Sequence, residues 1–210
     1  MAFLDLMRKF FHASHQDEEL GIVAEALELR EKLAKDPNDV AAFDELASLI
    51  KGFAVSREPA DPLTGESGEA DPKLVLWALS EEIGSDSRAW YPLIQLAWLS
   101  GPEDSEAAQR YLETAADREE TGIALAEGIK LLRETGQNEA AIQLGLGRWR
   151  PAEQIVGVAE ELVTAALAAN KVDEAAKYLK ILKESGESGE LVDDLEIAIA
   201  TRKANNGYVR

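Results

Sequence analysis

Cysteine is absent from the 210-residue chain. That excludes disulfides, thiolate metal sites and cysteine nucleophiles together, and it fits a reducing compartment, so the expected location is the cytoplasm. Histidine is scarce too, with only His12 and His15. A structural metal site needs about four ligands, and Asp17 is the one nearby carboxylate in a suitable position, so two surface histidines are the plainer reading. No metal or other cofactor is expected. Positive charge is in deficit: 22 Lys plus Arg face 40 Asp plus Glu, a formal net charge of −18. A nucleic-acid-binding module, which depends on cations that neutralise phosphates, is argued against. The deficit is spread evenly, at −5, −7 and −6 over residues 1–52, 53–105 and 106–210, so no acidic tail stands apart. No apolar run approaches the roughly 20 residues that span a bilayer. The opening Met1–Phe11 stretch is interrupted by Asp5, and its cations come too late for a signal peptide.

Signatures of catalysis are missing in the same way. There is no Gly-x-Ser-x-Gly element, phosphate-binding loop or dinucleotide fingerprint, and Gly145-Leu146-Gly147 falls in a predicted helix, not after a strand. The carboxylate pairs Glu81–Glu82, Glu119–Glu120, Glu160–Glu161 and Asp193–Asp194 sit where amphipathic helices expose their polar sides. An enzyme with a carboxylate site is therefore motivated only by the abundance of Asp and Glu. The chain reads as non-catalytic.

What the chain does contain is helix-forming apolar mass. Hydrophobic residues make up 46% while aromatics are only 6%, and the Ala- and Leu-rich balance favours helices over sheets. Turn signals at Asp36-Pro37-Asn38-Asp39, Ser100-Gly101-Pro102, Thr135-Gly136-Gln137-Asn138 and Ala169-Asn170-Lys171 divide it into short segments. Between them, apolar residues recur every three or four positions. Ile123, Leu125, Ile129 and Leu132 share one face, and Ala175, Ala176, Leu179 and Leu182 share another. The predicted elements are amphipathic helices of about three turns joined as antiparallel hairpins.

These hairpins repeat. Ala141 and Ala175 are 34 residues apart, as are Gly136 and Asn170 at the turn within each pair, and Ala108 precedes Ala141 by 33. Phe43, Leu46, Ala47 and Ile50 follow the Asp-Pro-Asn-Asp break. Trp90, Leu93 and Ala97 open a second unit that continues with Ala108, Leu112 and Ala115. Leu125, Ile129, Leu132, Gly136 and Ala141 form a third, and Ala159, Leu162, Val163, Ala166, Ala175, Leu179 and Leu182 a fourth. Over residues 40–184 the chain resembles the tetratricopeptide repeat family, in which small residues allow the paired helices to cross closely. Pro72 stands where that pattern has Ala, and Gly128 where it has Leu. Gly145 and Gly147 weaken the second helix of the third unit by about 1 kcal/mol each relative to Ala, so this unit is predicted to be soft or to need a packing partner.

The resemblance implies an all-α, tetratricopeptide-like solenoid of about four helical hairpins, with capping helices that give each end a polar side. The expected division is an N-terminal amphipathic helix at 1–16, the solenoid at 17–204 with a loop inserted at 53–71 and a capping helix at 189–204, and a tail at 205–210. Leu191, Leu195, Ile197, Ala198 and Ile199 are expected to serve the C-terminal cap; Ile22, Val23, Ala26, Leu29 and Leu33 the N-terminal one.

It also implies a concave surface that binds a peptide or protein segment. Carried onto this chain, that surface takes Arg88, Tyr91, Gln95 and Trp98 from the second unit, and Ile123, Ala126, Lys130 and Arg133 from the third. Trp, Tyr and Arg are enriched among energetically dominant interface residues. The first unit supplies Asp44, Ser48 and Lys51, and the fourth Gly157, Glu160, Thr164 and Leu167. Asp44 and Glu160 depart from the cationic clamp by which some relatives hold a terminal carboxylate. A competing reading assigns partner contact to Phe3, Leu4, Met7, Phe10 and Phe11, one stripe of an amphipathic helix able to dock on a protein or lie on a membrane. The chain's −18 charge opposes anionic lipid.

Overall fold

A computed structural model of the protein describes residues 16–55 and 71–207. Phe3, Leu4, Met7, Phe10, Phe11, His12 and His15, and nearly all of the inserted loop, lie outside the described residues. Among the described residues the fold is all-helical, with no strand. The chain divides into two compact units, Met1–Ser100 and Gly101–Arg210.

In the first unit the helices are α1 (Gln16–Lys35), α2 (Val40–Val55), α3 (Pro72–Gly84) and α4 (Tyr91–Ser100). The apolar positions converge on one core: Ala26, Leu29 and Leu33 of α1, Phe43, Leu46 and Ile50 of α2, and Val75, Leu76 and Leu79 of α3. Polar side chains set the boundaries. Asp39 accepts from the Ala42 N–H at 3.0 Å to cap α2, and Asp71 accepts from the Lys73 N–H at 2.9 Å with Pro72 at the first turn of α3. Helix α2 runs on to Val55, three residues into the stretch expected to be loop from Phe53.

The start of α4 is fixed from a distance. Asn38, in the turn before α2, donates to the Arg88 carbonyl at 2.9 Å, and its own amide oxygen accepts from the N–H groups of Trp90 at 2.7 Å and Tyr91 at 3.1 Å. Arg88 in turn donates to the carbonyls of Lys35 at 3.0 Å and Ala34 at 3.3 Å, at the end of α1, where cations are favoured. The two turns thus interlock. They are also alike, since Asp36 and Asp86 each accept from the N–H two residues on. Phe43, Leu46 and Ala47 match Leu93, Leu96 and Ala97 at a constant offset of 50 residues, all six buried.

The second unit begins with a short 3-10 turn (Pro102–Asp104) and continues as α5 (Ser105–Arg118), α6 (Ile123–Glu134), α7 (Asn138–Leu146), α8 (Val156–Ala168), α9 (Val172–Glu184) and α10 (Glu190–Gly207). Each helix from α5 on packs against the next, and α6 also packs against α8. The 34-residue spacing reappears in the backbone. The Gln137 N–H donates to Leu132 O at 2.7 Å and Lys171 N–H to Ala166 O at 2.8 Å; Gly136 bonds Arg133 O and Asn170 bonds Leu167 O. Gly136 and Asn170 both have left-handed φ, 79° and 60°. The α6–α7 and α8–α9 hairpins therefore close by the same six-residue C-terminal motif, with the one Gly and one Asn that this conformation favours.

The expected weakness of the α6–α7 pair resolves into close packing. A Cβ on Gly145 would overlap the buried Leu162 side chain, and one on Gly128 would come within 3.1 Å of Leu144. Ala124, Leu125, Ile129 and Ile142 around them are at most 2% exposed. Gly147 follows the last residue of α7, so it does not weaken that helix from inside. At the C-terminus α10 buries Val192, Leu195 and Ile199, whereas Ile197 is 64% exposed and Ala198 is exposed. The inward stripe follows three- and four-residue steps from Val192, a residue the sequence reading passed over.

Candidate interaction surfaces

The residues singled out from the sequence fall in both units, and their surroundings differ. In the first unit Arg88 lies in the turn before α4, not on the helix. Its guanidinium pairs with Asp86 at 2.7 Å while it holds the end of α1. The Asp86 carboxylate, hydrogen-bonded and close, raises the Arg88 pKa above its ordinary value. Tyr91 opens α4 and is also engaged: its hydroxyl donates to Asp44 at 3.0 Å, and its ring meets Phe43 and Trp90 edge-on at 5.3 and 5.9 Å. Gln95 is half-buried, and Trp98 is 51% exposed on the last turn of α4. Trp98 is thus the large apolar side chain of this group with most of its surface still open to a ligand.

In the second unit Ile123, Ala126, Lys130 and Arg133 follow one flank of α6, and Gly157, Glu160, Thr164 and Leu167 follow the equivalent flank of α8. Ile123 is 42% exposed and the others are half-buried. Arg133 is tied across to α8, its Nε 2.9 Å from a Glu161 carboxylate oxygen, with Glu134 at 3.8 Å. Among the described residues Lys130 pairs only with Glu127, at 3.8 Å. The arrangement offers a strip of modest apolar character beside one cation held weakly and one held firmly. Such a strip can seat an extended or helical segment and orient an acid on it.

A shallow hollow of about 410 Å³ lies beside Gly136, Gln137, Asn138, Glu139, Ala140 and Ala169. Its carboxylate, Glu139, is bonded to Lys171. Among the described residues there is no grouping of three or more His, Asp or Glu that could hold a metal ion, and no helix is long and apolar enough to cross a membrane.

What the sequence reading missed rests on contacts between residues far apart in the chain. Neither the Asn38 clamp nor the Arg30–Glu82 ion pair joining α1 to α3 has a local signature. Comparison with protein-family models, with curated proteins and with solved structures finds no match.

Proposed function

We propose that the protein is a non-catalytic interaction scaffold, a tetratricopeptide-like array of helical hairpins that binds a peptide or protein segment on the exposed flanks of its first-of-pair helices, in the cytoplasm. The observation that carries this reading is the 34-residue recurrence of the hairpin turn, hydrogen bond for hydrogen bond, at Gly136 and Asn170. Repetition of one supersecondary unit is the mark of solenoids, whose regular surfaces serve recognition. Within the first unit the binding contribution falls to Trp98, with Gln95 beside it. Arg88 and Tyr91 support the fold there, because their polar groups are already used. Within the second unit it falls to Lys130 and the Ile123–Ala126 stretch of α6, with Arg133 held in place by Glu161.

The test uses Trp98→Ala and Lys130→Glu, both at positions with exposed surface, so that neither empties the core. Affinity capture from the native cell with the wild-type chain should enrich a partner, and the purified partner should then bind the variants at least about tenfold more weakly, the loss of an interface anchor worth 1.4 kcal/mol or more. Equal binding by wild type and both variants removes these flanks as the site.

A further inference from the structure

The second helix of each hairpin in the second unit, α7 and α9, carries an apolar surface that the flanks of α6 and α8 do not share. The two helices are tied at both ends and run in the same direction. At their starts Lys171 is ion-paired with Glu139 and lies 3.8 Å from Glu174. Just past the end of α7 the Trp149 ring meets that of Tyr178, on α9, edge-on at 6.2 Å. The Trp149 N–H donates to the Gly145 carbonyl at 2.8 Å, so the spacing of α7 continues through it. Leu146 is therefore its neighbour three residues back, as Ile181 is the neighbour of Tyr178 three residues on. Leu146 is 58% exposed and Ile181 is 39% exposed; Trp149 is half-buried and Tyr178 buried. The four side chains form one apolar patch that spans both helices, with its two aliphatic members open to solvent.

The charges that border the patch select what can cover it. Lys171 matches both Glu139 and Glu174. On the open side Glu184 is paired with Lys180 at 3.5 Å, and Glu153 with Arg150 at 3.0 Å. Lys177, exposed and one turn before Ile181, has no ion-pair partner among the described residues. Asp173, a turn earlier again, forms no pair with it and sits in the first turn of α9, where the helix N-terminus favours a carboxylate. An arriving acid thus meets a cation without a competitor, whereas an arriving base finds the bordering carboxylates taken. At physiological salt, charges beyond about 8 Å are largely screened, so this neighbourhood outweighs the chain's net −18. We propose that the patch seats an amphipathic helix of another protein, its apolar stripe bordered by Asp or Glu. From the Glu139–Lys171 tie to Leu146 and Tyr178 is about 10 Å of helix, room for two apolar anchors one turn apart, with Trp149 between them as the aromatic contact. Pairing the patch with itself across a two-fold axis would leave Lys177 without an acid. None of these residues belongs to the flanks assigned above, so either proposal can fail alone.

The test uses the full chain and a set of synthetic helical peptides that share one leucine stripe and differ only in its borders, acidic, balanced or basic. Binding is read from the Trp149 indole N–H resonance, assigned by its loss in Trp149→Phe. The acidic peptide should shift that resonance and bind at least about tenfold more tightly than the basic one. Leu146→Ala/Ile181→Ala, at exposed positions and without a change of charge, should weaken it at least about tenfold. Lys177→Glu leaves the apolar patch intact and should remove the preference for the acidic peptide, an effect that a merely unfolded variant would not produce. No binding of the acidic peptide, equal or tighter binding of the basic one, or an unchanged preference in Lys177→Glu overturns the proposal. So does binding that is lost in Trp98→Ala or Lys130→Glu and kept in Leu146→Ala/Ile181→Ala, which places the peptide on the other flanks. Sedimentation that shows a dimer abolished by Leu146→Ala/Ile181→Ala assigns the patch to a second copy, and phosphatidylserine vesicles that bind wild type but not that variant assign it to a membrane; each also overturns it.

Discussion

Gly145 shows how a residue that looks like a weakness can be a requirement. Read locally, a glycine inside a helix costs about 1 kcal/mol relative to Ala, and on that ground alone Gly145→Ala would stabilise α7. The neighbouring Leu162 reverses the sign, since the added Cβ would overlap its side chain and overpacking a dense core costs roughly 1–3 kcal/mol. Gly145→Ala is therefore expected to lower the unfolding free energy, by up to about 2 kcal/mol after the propensity gain is subtracted. Gly147 provides the internal control, with ordinary right-handed φ of −80° and nothing within 4 Å of an added Cβ. Gly147→Ala should stabilise by about 0.4–1 kcal/mol through the unfolded chain. Urea unfolding of the two variants, read at constant m-value, checks the contrast; the same sign for both would remove close packing as the reason for Gly145.

Between elements, the connection into α6 depends on one carboxylate. Glu119 accepts from the Thr121 N–H at 2.8 Å and the Ala124 N–H at 3.1 Å, and from the Thr121 hydroxyl, while the Thr121 carbonyl accepts from Ile155 at 2.8 Å just ahead of α8. Burial by itself would raise the Glu119 pKa, but the bonds from Thr121, Ala124 and Ile123 outweigh it and leave the group below its ordinary 4.5. A carboxyl depressed in the folded state contributes stability that is present above the unfolded pKa and disappears as pH falls through the folded one. Glu119→Gln should accordingly be less stable than wild type at pH 7, with the gap narrowing below about pH 4.5. Denaturation curves from pH 7 to pH 3 measure it, and a pH-independent gap would mean that the ionised form is not what the turn uses. The hairpins themselves were legible from sequence because Gly136 and Asn170 are local signals at a fixed interval. The start of α4 was not: Arg88, grouped by the repeat pattern with Tyr91, Gln95 and Trp98, falls in the turn before the helix, and the cap that sets this boundary comes from Asn38, some 50 residues earlier. The C-terminal cap was misread in a different way, by including Ile197 and Ala198, which are exposed, and omitting Val192, which with Leu195 and Ile199 forms the buried stripe of α10.

At the scale of the whole molecule, charge is the dominant unspent quantity. Forty carboxylates against 22 cations leave −18 on 210 residues, and several ion pairs of the described residues, such as Lys35–Glu31 and Lys180–Glu184, are exposed, where each is worth about 0–1 kcal/mol. Two effects then oppose one another as salt is added. Screening weakens those pairs, but it also relieves the repulsion among carboxylates that have no cation to match, and that repulsion acts against the compact state. With the screening length falling from about 30 Å at 0.01 M to about 3 Å at 1 M, the longer-ranged repulsion is removed over the whole surface, whereas close pairs lose only part of an already small attraction. The expected outcome is a thermal midpoint that rises by roughly 2–4 °C between 0.01 and 0.5 M sodium chloride, equivalent to about 1 kcal/mol at this chain length. A midpoint that falls would show instead that the local pairs, Arg133–Glu161 and Arg148–Asp117 foremost among them, outweigh the net charge. The same titration run on Lys130→Glu, which adds two units of negative charge, should show a steeper rise if repulsion is the governing effect.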